Sequence, residues 1–256
     1  MSFFERLIVF LQFEMPRPAN YGWFHLLALG VLVAVIVLLA RTRPDPERVL
    51  FAAAVISICF ECYKQISFSY NGQEWSYPWY IFPYQFCSTP MYAALLAVLF
   101  KRGKVHDALC AFLASYGLSA GIAVMAYPDS CFVSEVLINV QTMTHHGLQV
   151  VMGCYLLISG AVRPTKRTFF SAAAVFGAFV SLALCIDVAT YHAGLNGGLE
   201  MFYISPYHPS ILPVFDRLSV LLPYPLFLLC YLLFFSLGAA IPLAVARGVA
   251  RLRRKG

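Results

Sequence analysis

Seven apolar runs, roughly residues 22–40, 49–68, 84–100, 107–127, 141–160, 168–189 and 222–245, fill most of this 256-residue chain. Each approaches the ~20 residues that a helix needs to cross the hydrocarbon core of a bilayer. Positive charge punctuates them. Arg41/Arg43/Arg48, Lys101/Arg102/Lys104, Arg163/Lys166/Arg167 and the tail Arg247, Arg251, Arg253, Arg254 and Lys255 hold three, three, three and five of the eighteen Lys and Arg residues. These clusters follow runs one, three, five and seven, whereas the connections after runs two, four and six contain only Arg217. Lys and Arg in short loops mark the cytoplasmic side. An outside N terminus and a cytoplasmic C terminus account for all four clusters. The expected fold is therefore all-α, a polytopic seven-transmembrane helix bundle that makes one domain of residues 1–256.

Composition supports the membrane reading. The chain is 61% hydrophobic and 12% charged, with a mean hydropathy of +0.74. A soluble domain would carry roughly a quarter charged residues. The net charge of +6 gathers on the cytoplasmic flank, which points to anionic lipid headgroups at the basic tail 246–256 and away from nucleic acid. Of the eight cysteines, Cys59 and Cys62 alone have CxxC spacing and the other six are scattered singly, so with no second pair neither a disulfide framework nor a zinc ribbon is indicated, and no cofactor is called for.

Residues 1–20 contain a short apolar run broken by Glu5, Glu14, Pro16 and Pro18. They read as an interfacial segment on the outer surface, not as a cleaved leader. The aromatic, Pro-rich stretch 69–83 suits a membrane interface. Residues 190–221 are too long for a tight turn and are expected to form an ordered extracytoplasmic cap. No internal repeat is visible, which argues against an inverted-repeat transporter.

Counting ~1.5 Å per residue places the intramembrane polar groups at one level. His25 lies near the outer end of span one, and Glu61 and Lys64 in the outer half of span two. Cys87 starts span three, His145 and His146 lie about one turn into span five, and Asp187 closes span six. A charge at the bilayer centre costs on the order of 3 kcal/mol, so these groups should face a hydrated cavity open to the outside.

Each residue also has a plainer reading. Glu61 and Lys64 form an i,i+3 pair that can simply neutralise itself. Asp187 can touch interfacial water, and His25 can join two helices. His145 and His146 point about 100° apart. Cys59, Cys62, Cys110, Cys154, Cys185 and Cys230 read as small packing residues.

Cys87 differs because it sits in FPYQFCSTP, at a helix start bracketed by Pro83 and Pro90. Partial positive charge at a helix N terminus favours a thiolate. A thiol and an imidazole at one depth suit nucleophilic acyl transfer. Backbone N–H groups of that helix start, with Gln85, Ser88 or Thr89, are the expected oxyanion donors.

FPYQFC, the later THHG and the stretch GLEMFYISPYHPSILPVFDRLSVLLPYPLF together resemble the YwaF-like bacterial integral membrane family. That family is related to the transmembrane protein 164 acyltransferases and, more distantly, to the androgen-induced membrane hydrolases of fatty-acid esters. The shared patterns are Pro-x-His/Gln-x-Cys, here Pro83, Gln85 and Cys87, and a His-Gly, here His146 and Gly147. The resemblance implies a cell-membrane enzyme in which Cys87 forms a thioester with His146 as base, moving acyl chains between phospholipid and lysophospholipid. Leu199 and Glu200 stand where relatives often carry Asn-Tyr. Two alternatives stay open: a zinc-dependent hydrolase with ligands from His25, His145, His146 and Asp187, and a transporter or receptor-like binding protein gated by Glu61 and Lys64.

Overall fold

The computed structural model describes residues 1–195 and 197–252. The α-helices are α1 (Phe3–Leu11), α2 (Trp23–Thr42), α3 (Pro46–Ser69), α4 (Thr89–Phe100), α5 (Lys104–Phe112), α6 (Leu118–Ala126), α7 (Val136–Ile158), α8 (Lys166–His192), α9 (Phe215–Leu221) and α10 (Tyr224–Leu252). A π-helical turn at Leu113–Gly117 joins α5 to α6 as one helix. Among the described residues there is no strand, only isolated bridges between Glu14 and Glu135 and between Tyr70 and Trp75.

A helix stands at each of the seven expected places, and five are long and apolar enough to cross a membrane: α2, α3, Lys104–Ala126, α8 and α10. The other two differ for separate reasons. Phe86–Phe100 is apolar but short. In contrast, α7 is long but buries Asn139, Gln141, Thr142, His145, His146 and Gln149. Such a helix belongs inside a bundle, where neighbouring helices replace lipid. It packs on α2, α3 and α6. The joined helix Lys104–Ala126 is 67% buried over its apolar window, against 6% for α2. It shares the centre with α7, and α2 lies at the edge.

Local chemistry sets the helix limits. Asp45 caps α3 through Glu47 N, with a proline in its first turn, and Thr165 caps α8 through Thr168 N. At the other end of α2, Arg43 adopts a left-handed φ of 48° and stops it. α7 begins at Val136, five residues before the expected 141. The Asn139 amide donates to Val133 O (2.8 Å) and accepts from Val133 N (2.9 Å), which anchors the extra turn. His145 and His146 therefore lie about 14–15 Å along α7, deeper than one turn.

Two glycines bring α6 and α7 together. A Cβ on Gly121 would come 2.8 Å from His146 O, and one on Gly153 would come 2.6 Å from Leu118 Cβ. Small residues at such crossings let backbones approach where packing drives association in a membrane.

The N-terminal segment is tied down. A Ser2–Glu5 capping box starts α1. Gln12 Nε2 donates to Ser67 O (2.7 Å) and Tyr70 O (2.9 Å), and Met15 N donates to Ser134 O (2.7 Å). Phe3 and Phe10 remain 77% and 74% exposed, so α1 offers an apolar face outward, as an interfacial helix does.

The helix ends sort the molecule into two poles. The starts of α3, α5 and α8 share a basic end with Arg41, Lys101 and Arg163. The region before α4 and the segment between α8 and α10 form a cap end. Of the tail 246–256, α10 includes residues up to Leu252, whereas Arg253, Arg254 and Lys255 lie outside the described residues.

Candidate functional site

Cys87 lies in a 3₁₀ turn, Phe86–Ser88, that leads directly into α4. Its carbonyl is gripped twice from α7: His145 Nε2 donates at 2.8 Å and Gln149 Nε2 at 2.7 Å. His145 and Gln149 are one helical turn apart, so a single face of α7 holds Cys87. Because a carbonyl only accepts, Nε2 of His145 carries the proton and Nδ1 is the lone pair; that Nδ1 is buried without a partner.

His146 turns the other way, its ring centroid 5.3 Å from that of His145 at an interplanar angle of 80°. Its Nδ1 donates to Thr142 O at 2.8 Å. That bond leaves Nε2 as the basic nitrogen. Among the described residues Nε2 has no hydrogen-bond partner. Among the described residues the Cys87 thiol makes no hydrogen bond to either imidazole.

Glu61 and Lys64 form an ion pair at 2.9 Å, with Gln65 Nε2 on the same Glu61 oxygen at 2.6 Å. The pair neutralises itself, as the plainer reading expects, and it also acts electrostatically on Cys87 and His145. Glu61 Oε2 and Gln149 Oε1 are buried without partners. Cys131, in the turn before α7, adds a second thiol in electrostatic range of Cys87. Burial pushes the Cys131 thiol above its ordinary range.

The remaining expected residues have other tasks. His25 spends both nitrogens, accepting from Tyr21 N (2.9 Å) and donating to Met125 O (2.9 Å), so it joins α2 to α6. Gln85 clamps the cap, donating to Glu200 O (2.9 Å) and accepting from Phe202 N (3.0 Å). Asp187, fully buried, accepts from Met201 N at 2.6 Å. The expected oxyanion donors are largely committed. Ser88 N bonds Gln85 O, Thr89 N bonds Phe86 O, and Thr89 Oγ1 donates to Phe86 O at 2.8 Å. The Ser88 hydroxyl interacts with the Cys87 thiol.

The zinc donor set does not come together. Among the described residues no three His, Cys, Asp or Glu side chains group so as to hold a metal ion. His25 is saturated and Asp187 serves the cap, which removes two of the four proposed ligands.

The cap is strained where it meets the site. Phe202 and Tyr203 have φ of 56° and 57°, a conformation that costs on the order of 1–3 kcal/mol per residue and survives only when its surroundings enforce it. Gln85 and Asp187 do so, helped by Tyr231, whose hydroxyl donates to Phe202 O at 3.0 Å, and by the Phe202 ring against Tyr84 and Phe86. An apolar groove of about 300 Å³ runs between α2 and α7, lined by Phe24, Val31, Met143, Gly147 and Val151. A Cβ on Gly147 would meet nothing within 4 Å, so this glycine opens the groove beside His146.

Gln149 was not singled out in the sequence. Its position four residues beyond His145 was the available sign, since i and i+4 share a helix face. No curated protein and no solved structure matches the chain. A family model described as the TMEM164 family matches residues 20–241; it agrees with the transmembrane protein 164 resemblance and carries nothing on the YwaF-like label. Matched over most of its length and built of long apolar helices, the chain is an integral membrane protein that belongs to the TMEM164 family.

Proposed function

We propose that this protein is a seven-span lipid acyltransferase of the cell membrane, with its basic end in the cytoplasm and Cys87 as nucleophile. The observation that carries the reading is the convergence of α7 on Cys87: His145 and Gln149 hold its carbonyl while the next residue, His146, keeps a basic Nε2. His146 takes the thiol proton, the thiolate sulfur bonds the ester carbonyl carbon, and the ester C–O bond breaks as imidazolium returns the proton to the departing alcohol. A lysophospholipid hydroxyl then attacks the thioester, giving its proton to His146, and the thiol is restored. The step requires bound substrate to draw the thiol and Nε2 together, since catalytic hydrogen bonds commonly form fully only in the complex.

With the helix-start amides committed, the Ser88 hydroxyl and the Lys64 ammonium are the donors left for the oxyanion. Charge held ready where charge develops is a large contribution to such catalysis. The α2–α7 groove supplies a berth for the acyl chain next to His146. Hydrolysis differs only in water replacing the second alcohol.

Lipid profiling of cells expressing the wild type or Cys87→Ser tests the reading. It expects acyl chains to redistribute among phospholipids only with the wild type. Equal redistribution by a Cys87→Ser protein present at the same level would rule it out.

A further inference from the structure

At the basic end, away from Cys87, the first turns of α3, α5 and α8 surround a cavity of about 630 Å³. Buried Cys110, Leu156 and Val162 form its floor. Its two carboxylates meet one histidine. His106 Nε2 lies 2.6 Å from Glu47 Oε1, and His106 Nδ1 lies 3.3 Å from Asp107 Oδ1. Lys104, Arg163 and Arg167 also line the cavity, and none of these makes an ion pair among the described residues.

Two carboxylates share the cavity with three cations, yet one imidazole engages both carboxylates and the cations are left facing the space. Membrane orientation explains why Lys and Arg collect at this end. It does not explain why three of them line a cavity unpaired. Arg41, Arg43, Lys101 and Arg102 obey the same charge bias and line no part of it. The positive ends of the three helices add potential of the same sign.

The geometry points to a binding site for a phosphate ester, carried on a lipid headgroup or on a soluble molecule. Arginine forks match phosphate oxygens, and charge-assisted bonds of this type are the strong ones. The cavity is large enough for a phosphate with a glycerol-sized body. The site is separate from Cys87, so its occupancy does not depend on the acyl-transfer reading.

The test uses full-length protein in neutral detergent or in phosphatidylcholine nanodiscs, with thermal shift and native mass spectrometry as readouts. The probes are inorganic phosphate, glycerol 3-phosphate, and phosphatidic acid added to the phosphatidylcholine. Saturable binding is expected in at least one arm. The paired change Arg163→Gln/Arg167→Gln is expected to weaken it about tenfold or more, while Arg41→Gln/Arg43→Gln moves it by less than about twofold. Binding of phosphatidic acid alone assigns the ligand to a lipid headgroup, and binding of glycerol 3-phosphate assigns it to a soluble ester. No saturable binding in any arm, or equal loss in the two paired variants, would overturn the proposal. Cys87→Ala should bind like the wild type.

Discussion

His145 and His146 are neighbours in sequence with different work, because adjacent helix residues point about 100° apart. The account expects His146→Ala to lower acyl turnover by about 10²–10⁴-fold, the usual weight of a general base. His145→Ala and Gln149→Ala act through the Cys87 carbonyl and displace the nucleophile. A small misplacement of this kind can cost about 10²-fold, and steady-state rates on purified protein should show it in kcat more than in KM. Cys87 and the imidazole pair could be read from the sequence because a thiol at a helix start and two His within an apolar run are conspicuous. Which imidazole touches Cys87 could not, since that depends on how α7 is rotated about its axis. Gln85 and Asp187 were visible as polar residues, but their real task, gripping backbone 115 and 14 residues further along the chain, has no local signature.

Among the elements, the α6–α7 crossing governs the site most directly. Gly121→Val would drive side-chain carbon into His146 O and Gln149 Cβ, which lie 2.8 and 2.9 Å from the added Cβ. Overpacking of this sort typically costs about 1–3 kcal/mol; a lowered Tm and reduced turnover are expected together. Gly30 in α2 is the control, since a Cβ there meets nothing within 4 Å. Gly30→Ala should hold or raise stability by up to ~1 kcal/mol. Gly147→Leu should fill the α2–α7 groove and depress turnover of long acyl chains more than short ones, measured across a chain-length series.

The N-terminal helix carries a pH dependence of its own. The Ser2 backbone N–H holds the Glu5 carboxyl below its usual range. A depressed folded-state value means that this carboxylate supports α1 above the ordinary carboxyl pKa and that the support fades as pH falls through the lowered value. Hydrogen exchange of α1 amides should quicken at the acid end in the wild type, and Glu5→Gln should flatten that dependence.

At the scale of the whole molecule, hydropathy and charge placed a helix at every expected run, because both report directly on the bilayer as solvent. They were least informative at α7, whose polar inner face disguises a long helix, and at Phe86–Phe100, which rises only about 22 Å. In the proposed topology a segment that short, set in a core of about 30 Å, would leave Cys87 below the membrane surface. The proposed topology predicts that a cysteine introduced at Arg102 or Arg163 reacts with an impermeant maleimide only from the cytoplasm, and one at Asn71 only from outside.

Cys87 ties these levels together, and trapping the acyl-enzyme tests it most directly. Purified protein would be mixed with phospholipid carrying an isotopically labelled acyl chain, quenched in acid and read by peptide mass spectrometry. One labelled acyl group is expected on the Cys87 peptide, released by neutral hydroxylamine and missing in Cys87→Ala, which also loses turnover. A folded Cys87→Ala protein that transfers acyl chains at the wild-type rate would contradict it.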